Sequence, residues 1–302
     1  MKIPPYLQQG DTIAITCPAG YMPLEKAQTC IDTLQQWGYE VLVGKTLGSK
    51  SKNYFSGTDE VRLNEFQAML DAPEVKAILC GRGGYGVGRI IEQLDFTQFK
   101  KNPKWIIGFS DITVLHAHIN RNYKIATLHA PMAAAFNDGG FKKKYVLSLK
   151  KALDGMKSTY ECKPHQLNQT GTTSAELIGG NLALLAHLVG TLSDIQTKNK
   201  ILFLEDVGEQ HYNVDRMMIQ LKRSGKFKHL AGLIIGGFTD MQDTQRPFGK
   251  KVYHIIKEHI AEYQYPVCFG FPVSHDKKNL TLKCGVTHQL QVHNRLVQLS
   301  EL

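Results

Sequence analysis

The chain contains no apolar stretch long enough to span a membrane. Its opening residues, Met1-Lys2-Ile3-Pro4-Pro5-Tyr6, lack the apolar centre of a signal peptide and lead straight into a strand-like segment. These absences point to a soluble, cytoplasmic protein without membrane partners. The six cysteines (Cys17, Cys30, Cys80, Cys162, Cys268 and Cys284) form no CxxC pair. Neither a zinc site nor a disulfide framework is therefore signalled, and reduced, mostly buried thiols are expected. There is no internal repeat, no low-complexity tract and no aromatic-and-basic pattern of a nucleic-acid module. Acidic residues are outnumbered, 27 against 36 basic, for a net charge of +9. The lysines are dispersed apart from small clusters at Lys142-Lys143-Lys144 and Lys277-Lys278. That distribution reads as a solvated basic surface, and the alternative reading is a preference for small anionic substrates.

What is present, in 302 residues, is enough to bury one large core or two ordinary ones. The first half alternates strand and helix. Strands are expected at Asp11–Thr16, Glu40–Val43, Val75–Cys80 and Lys104–Gly108, with helices at Leu24–Trp37, Thr58–Leu70, Val87–Leu94 and Asp111–Asn122. Such alternation implies a parallel sheet covered by helices, with ligands beyond the C-terminal strand ends. Residues 158–174 turn polar and read as a linker between a Rossmann-like domain (1–157) and a second α/β domain (175–302). The second domain is expected to carry helices near Asn181–Leu188, Arg216–Arg223 and Val252–Tyr263. Its strands are expected at Ala175–Ile178, Ile201–Leu204, Leu230–Ile235, Val267–Phe269, Thr281–Lys283 and Gln289–Val292, in a mixed or barrel-like sheet.

Four segments carry chemistry. In Trp105-Ile106-Ile107-Gly108-Phe109-Ser110-Asp111-Ile112 a strand ends at a glycine and a serine stands at the start of a helix. That places Ser110 either as a helix cap or as a nucleophile on a sharp turn, although Ile112 replaces the second glycine of a GxSxG elbow. Gly81-Arg82-Gly83-Gly84-Tyr85-Gly86 formally matches GxGxxG. However, it follows the third strand rather than the first, and residues 101–104 are basic where an acidic residue would be needed. A plain tight turn and a loop of backbone N–H groups that holds an anion or oxyanion both remain open. Glu205 ends the apolar run Ile201–Leu204 and needs a partner if it is buried. With Asp206 and Glu209 it could instead ligate a hard cation, but no second acidic cluster completes a shell. His275 lies in the Gly/Pro-rich loop Phe269–Asp276, where a scaffold can present a catalytic imidazole. His116 and His118 are two residues apart on a helix, and His254, Glu258 and His259 carry one residue too many for HxxEH, so neither set chelates well.

Taken together, Arg82-Gly83-Gly84-Tyr85-Gly86, Gly108-Phe109-Ser110-Asp111, Leu204-Glu205-Asp206-Val207-Gly208-Glu209 with Asp215-Arg216, and Pro272-Val273-Ser274-His275 resemble the LD-carboxypeptidase family of serine peptidases, which includes the microcin C immunity peptidases. The resemblance runs in order over nearly the whole chain. It implies Ser110 as nucleophile, Glu205 as the triad acid and His275 as base, in a cleft between a Rossmann-like domain and a C-terminal domain. It also implies an oxyanion hole from the N–H of Asp111 with one from Gly83 or Gly84, a homodimer, and no metal or cofactor. The implied substrate is a murein tetrapeptide that loses its terminal D-alanine in cell-wall recycling, with Arg82 a candidate partner for the terminal carboxylate. The alternative is an aminoacyl- or peptidyl-nucleotide amide.

Overall fold

The computed structural model describes all residues, 1–302. The chain divides into two units, Met1–Met156 with Leu280–Lys283, and Lys157–Asn279 with Cys284–Leu302.

The first unit is built on β1 (Thr12–Thr16), α1 (Gln28–Gln36), β2 (Glu40–Val43), α2 (Asp59–Asp71), β3 (Val75–Cys80), α3 (Thr97–Lys101), β4 (Trp105–Gly108), α4 (Thr113–Tyr123), β5 (Thr127–His129) and α5 (Lys144–Leu153). A returning strand, β11 (Leu282–Cys284), completes its sheet. The central strands are near-continuous apolar runs because helices cover both faces of a parallel sheet. Thr58 starts α2 by accepting a hydrogen bond from the Val61 N–H at 3.2 Å, and Pro73 follows its end. The strand order is β11-β5-β4-β3-β1-β2, with β2, β1, β3, β4 and β5 paired in parallel. Successive strands are added on one side of β1 and then on the other. The C-terminal ends of β1 and β3 consequently flank the crevice where doubly wound sheets place their ligands. Phe66, Phe99 and Trp105 fill the core, and the Trp105 indole N–H donates to the Pro5 carbonyl at 3.0 Å.

The second unit contains β6 (Thr159–Cys162), β7 (Gly171–Asn181), α6 (Leu182–His187), β8 (Ile201–Val207), α7 (His211–Arg223), β9 (Gly232–Thr239), α8 (Val252–Ile260), β10 (Val267–Phe269), β12 (Thr287–Val292) and β13 (Val297–Glu301). Its sheet runs β10-β9-β8-β7-β12-β13-β6 and is mixed. Strands β7 to β10 pair in parallel, whereas β7–β12, β12–β13 and β13–β6 are antiparallel.

The expected helix Leu24–Trp37 is a 3₁₀ turn, Leu24–Lys26, followed by α1, and α3, β5, α5 and β13 have no counterpart in the sequence expectation; three further segments differ from it. Residues 158–174 are not a bare linker, because they hold β6 and the start of β7. As an edge strand in a half-exposed antiparallel ladder, β6 needs no apolar run, which is why it reads as polar. Leu280–Lys283 leaves the second half of the chain to join the first unit. There the Thr281 N–H donates to Ser148 Oγ at 2.9 Å, and the Lys283 ammonium lies 4.7 Å from the Tyr6 ring centroid. Val87–Leu94 forms two 3₁₀ turns, Val87–Arg89 and Ile91–Gln93, instead of one helix. Gly86 enters at φ +151° and Gly88 interrupts the turn, and both weaken helix propagation.

Candidate active site

Ser110 follows β4 on a backbone forced through a sharp turn. Gly108 has φ +155°, Phe109 is extended, and Ser110 itself has φ +64°, a left-handed conformation that costs a non-glycine residue energy. The chain then makes a 3₁₀ turn, Ser110–Ile112, directly into α4. Ile112, the residue that departs from the hydrolase elbow, is buried against Gly108, where a Cβ would come within 2.8 Å of its Cγ1. The turn is thus closed by apolar packing rather than by a second glycine.

The glycine loop after β3 packs on this turn. A Cβ built on Gly83 would sit 3.0 Å from Ser110 Cβ, 3.2 Å from its Oγ and 3.3 Å from the Asp111 nitrogen. Neither the Gly83 nor the Gly84 N–H meets a backbone acceptor, whereas the Gly83 carbonyl accepts from the Gly20 N–H at 3.0 Å, just beyond β1. Ser110, Asp111, Gly83 and Gly84 therefore converge at the C-terminal edge of β1, β3 and β4. Two further side chains hold the loop in place. The buried Asp111 carboxylate accepts from the Val87 N–H at 2.8 Å, which ties the far end of the glycine loop to the serine turn. The buried Arg62 guanidinium donates to the carbonyls of Pro18 (2.6 Å) and Gly86 (3.0 Å) and pairs with Asp59. Burial lowers the Arg62 pKa, and the carboxylate of Asp59 opposes that shift. Arg82 is exposed and donates to the Tyr21 carbonyl at 2.7 Å. Beside the loop stand three aromatic rings, with centroid separations of 5.4 Å for Tyr54–Phe55 and 6.0 Å for Phe55–Tyr85. The rings of Tyr54 and Tyr85 are largely exposed.

In the second unit Glu205 lies on β8, fully buried, and its Oε2 accepts a 2.5 Å hydrogen bond from His275 Nδ1. The local fold aims this carboxylate. The β8–β9 register passes from Leu204↔Ile235 to Asp206↔Phe238, so Gly236 and Gly237 together lie opposite Glu205 in a bulge. Bulges beside functional sites commonly re-aim a side chain in this way. The glycines also admit the His275 loop. A Cβ on Gly236 would be 2.2 Å from the Val273 carbonyl oxygen, and the Gly237 N–H donates to that oxygen at 2.8 Å. Ser274 Oγ bonds Asp276 Oδ1 at 2.6 Å and so holds the loop on either side of the histidine.

Burial works against a charged His275. The hydrogen bond and charge of Glu205, with a contribution from Asp206, outweigh it, and the pKa lies above the usual 6.5. Asp206 behaves differently. Burial lifts its carboxyl to about 7, although the Val207 N–H, the Asn181 amide and the Ala183 N–H all donate to it.

The cation reading of the acidic cluster finds no support in this geometry. Glu205 is taken by His275, Asp206 by Asn181 and the start of α6, and Glu209 by Asn213 at 2.9 Å. No group of three His, Cys, Asp or Glu side chains is arranged to hold a metal ion. Asp215 bonds His259 at 2.7 Å and Glu258 pairs with Lys250, so that helical trio is dispersed as well. His116 donates from Nε2 to the Gly108 carbonyl at 2.8 Å, supporting the serine turn from below, and burial drops its pKa to about 4.

Several contributors stood outside the sequence motifs. The pair Gly236-Gly237 carried a readable signal, two glycines inside an apolar strand. The Asp111 side chain is masked by its position at a helix start, and Arg62 carries no signal at all.

Comparison with known proteins identifies the family and the fold. Residues 13–130 match the LD-carboxypeptidase N-terminal domain, and residues 174–290 match the LD-carboxypeptidase C-terminal domain. The probable murein peptide carboxypeptidase of Bacillus subtilis is 34% identical over 93% of this chain and 89% of that protein. The crystal structure of muramoyltetrapeptide carboxypeptidase from Oxalobacter formigenes superposes with a TM-score of 0.87 at 28% identity, covering 96% of this chain and 98% of the other. The microcin C7 self-immunity protein MccF of Escherichia coli is 26% identical over 98% of this chain and 94% of its own length. The protein is a serine-type carboxypeptidase, a hydrolase of mixed α/β fold. It belongs to the LD-carboxypeptidase family.

Proposed function

We propose that the protein is a cytoplasmic LD-carboxypeptidase that releases the C-terminal D-alanine from murein tetrapeptides during cell-wall recycling, acting as a homodimer without metal or cofactor. The observation that carries this reading is the pair of buried Glu205 and half-buried His275, a carboxylate fixing an imidazole by its Nδ1–H, in a chain whose relatives include murein peptide carboxypeptidases. In this proposal His275 takes the proton of Ser110 Oγ as the hydroxyl attacks the carbonyl of the L-residue before the terminal D-residue. Glu205 holds the tautomer and stabilises the imidazolium. The N–H of Asp111, with that of Gly83 or Gly84, receives the oxyanion. His275 then protonates the departing amine, and water hydrolyses the acyl-serine. Arg82 is assigned to the substrate's terminal carboxylate.

Ser110→Ala should abolish D-alanine release from a tetrapeptide while the circular dichroism spectrum and Tm stay unchanged. Undiminished release would remove Ser110 as nucleophile. A second reading, cleavage of an aminoacyl- or peptidyl-nucleotide amide, draws on the MccF relationship and on the exposed Tyr54 and Tyr85 rings, which could stack a base. Competing a murein tetrapeptide against an aminoacyl sulfamoyl nucleoside on the purified enzyme separates the two by their kcat/KM values.

A further inference from the structure

The sulfurs of Cys162 and Cys268 lie 4.0 Å apart, far closer than their separation of 106 positions in sequence suggests. Both belong to the second unit. Cys162 ends β6 and Cys268 is the middle residue of β10, and these strands are the two opposite edges of the seven-stranded sheet. The chain leaving β6 holds the two edges in place. Gln169 and Val267 exchange backbone hydrogen bonds of 2.9 Å in each direction, Asn168 Oδ1 accepts from the Phe269 N–H at 2.8 Å, and Gln169 Nε2 donates to the carbonyls of Tyr263 and Tyr265. The thiols are thus positioned by backbone on both sides of Cys268.

We propose that Cys162 and Cys268 are a modification site, a thiol pair that closes to a reversible disulfide when a peroxide supplies the oxidising equivalents. Bringing the sulfurs from contact to bonding distance requires an approach of about 2 Å. The two thiols have different roles. Cys162 is half-buried and in contact with the Cys268 sulfur, which favours its thiolate, whereas the ionisation of buried Cys268, whose S–H also reaches the Phe269 carbonyl, is suppressed by its neighbour Cys162 and by burial. The Cys162 thiolate attacks one oxygen of hydrogen peroxide, displaces hydroxide and becomes the sulfenic acid. The Cys268 sulfur then attacks that sulfur as its proton leaves with the second hydroxide as water. Each peroxide is reduced to two waters, and the two thiols lose two protons and two electrons. The other four cysteines are all buried, which keeps peroxide from them. The resulting bond joins the two edge strands of the sheet, and Cys268 precedes the loop carrying His275 in the same run of chain. The site is independent of the substrate assignment, because it rests on the second unit alone.

The test treats the full-length protein with a small excess of hydrogen peroxide, alkylates residual thiols under denaturing conditions, and maps the peptides by mass spectrometry before and after dithiothreitol. Expected are the loss of two of the six thiols, a linked Cys162–Cys268 peptide pair lighter by two hydrogens, and full recovery on reduction. Cys162→Ser and Cys268→Ser should each abolish the linked pair, and Cys162→Ser should also slow the first oxidation. The wild-type map decides the matter even if a variant folds poorly. Independent alkylation of Cys162 and Cys268 after peroxide, or their oxidation only to unlinked acids, would overturn the proposal.

Discussion

At the scale of single residues the Glu205–His275 bond makes the sharpest forecast. A base whose folded pKa is raised above 6.5 is neutral only at higher pH, so the acid limb of the kcat/KM profile should lie above 6.5. Glu205→Gln removes the charge that raises this pKa and leaves the opposing burial in place. The limb should move to lower pH while kcat falls by about 10⁴-fold, the size expected when a triad carboxylate becomes an amide. An unmoved limb in the variant would take Glu205 out of the catalytic unit. The same shift has a stability consequence of opposite sense. Protonated His275 is favoured by the fold, so its contribution is fully present below pH 6.5 and is lost as pH rises through the higher folded value. Gly83 makes the second residue-scale forecast. Its φ is not left-handed, so alanine costs little backbone strain, but the new Cβ crowds Ser110 Oγ at 3.2 Å. Gly83→Ala should lower kcat by about 100-fold or more through a displaced oxyanion donor, with Tm nearly unchanged. A kinetic loss matched by a large fall in Tm would instead mark a folding role.

Among the elements, the β8–β9 bulge is where the second unit commits its backbone to the site. Gly236 has the Val273 carbonyl at a distance no Cβ tolerates, and that oxygen belongs to the loop that ends in His275. Gly236→Ala must therefore push the loop away or open the sheet. The expected cost is about 1–3 kcal/mol in urea unfolding, accompanied by loss of activity. The same change at Gly225, a turn glycine with nothing within 4 Å of the added Cβ, has only its left-handed φ to contend with and should leave activity intact. Elements also show which parts of the fold are legible in sequence. Strands β1, β3, β4 and β8 are readable because parallel strands buried on both faces must be apolar runs. Strand β6 is not readable, since an edge strand exposed on alternate residues has the composition of a loop. The serine turn was legible as a strand, a glycine and a helix start, but its left-handed Ser110 and the Asp111–Val87 tie were not, because both depend on what the glycine loop does in space.

For the molecule as a whole, motif order along the chain carried more than any one motif, since glycine loops, capping serines and loop histidines are each common. Four in register gave a family, and matches over residues 13–130 and 174–290 agree with it. What sequence order could not give was the return of Leu280–Lys283 to the first unit, because so short a segment, leading into a three-residue strand, carries no mark of the sheet it will join. The net charge of +9 is another whole-molecule property, and its testable consequence is for the rate of substrate capture rather than for the fold. A murein peptide is an anion, so a basic surface should speed its encounter most when screening is weak. Raising ionic strength from about 0.01 M to about 0.15 M shortens the screening length from about 30 Å to about 8 Å. Over that range kcat/KM for a tetrapeptide should fall several-fold while kcat, which is read at saturation, stays nearly constant. Amidating one side-chain carboxylate away from the scissile bond should flatten the dependence, because it removes charge without touching the reacting carbonyl. Equal salt slopes for the two peptides would assign the basic surface to solvation alone and leave substrate capture to contacts at the site.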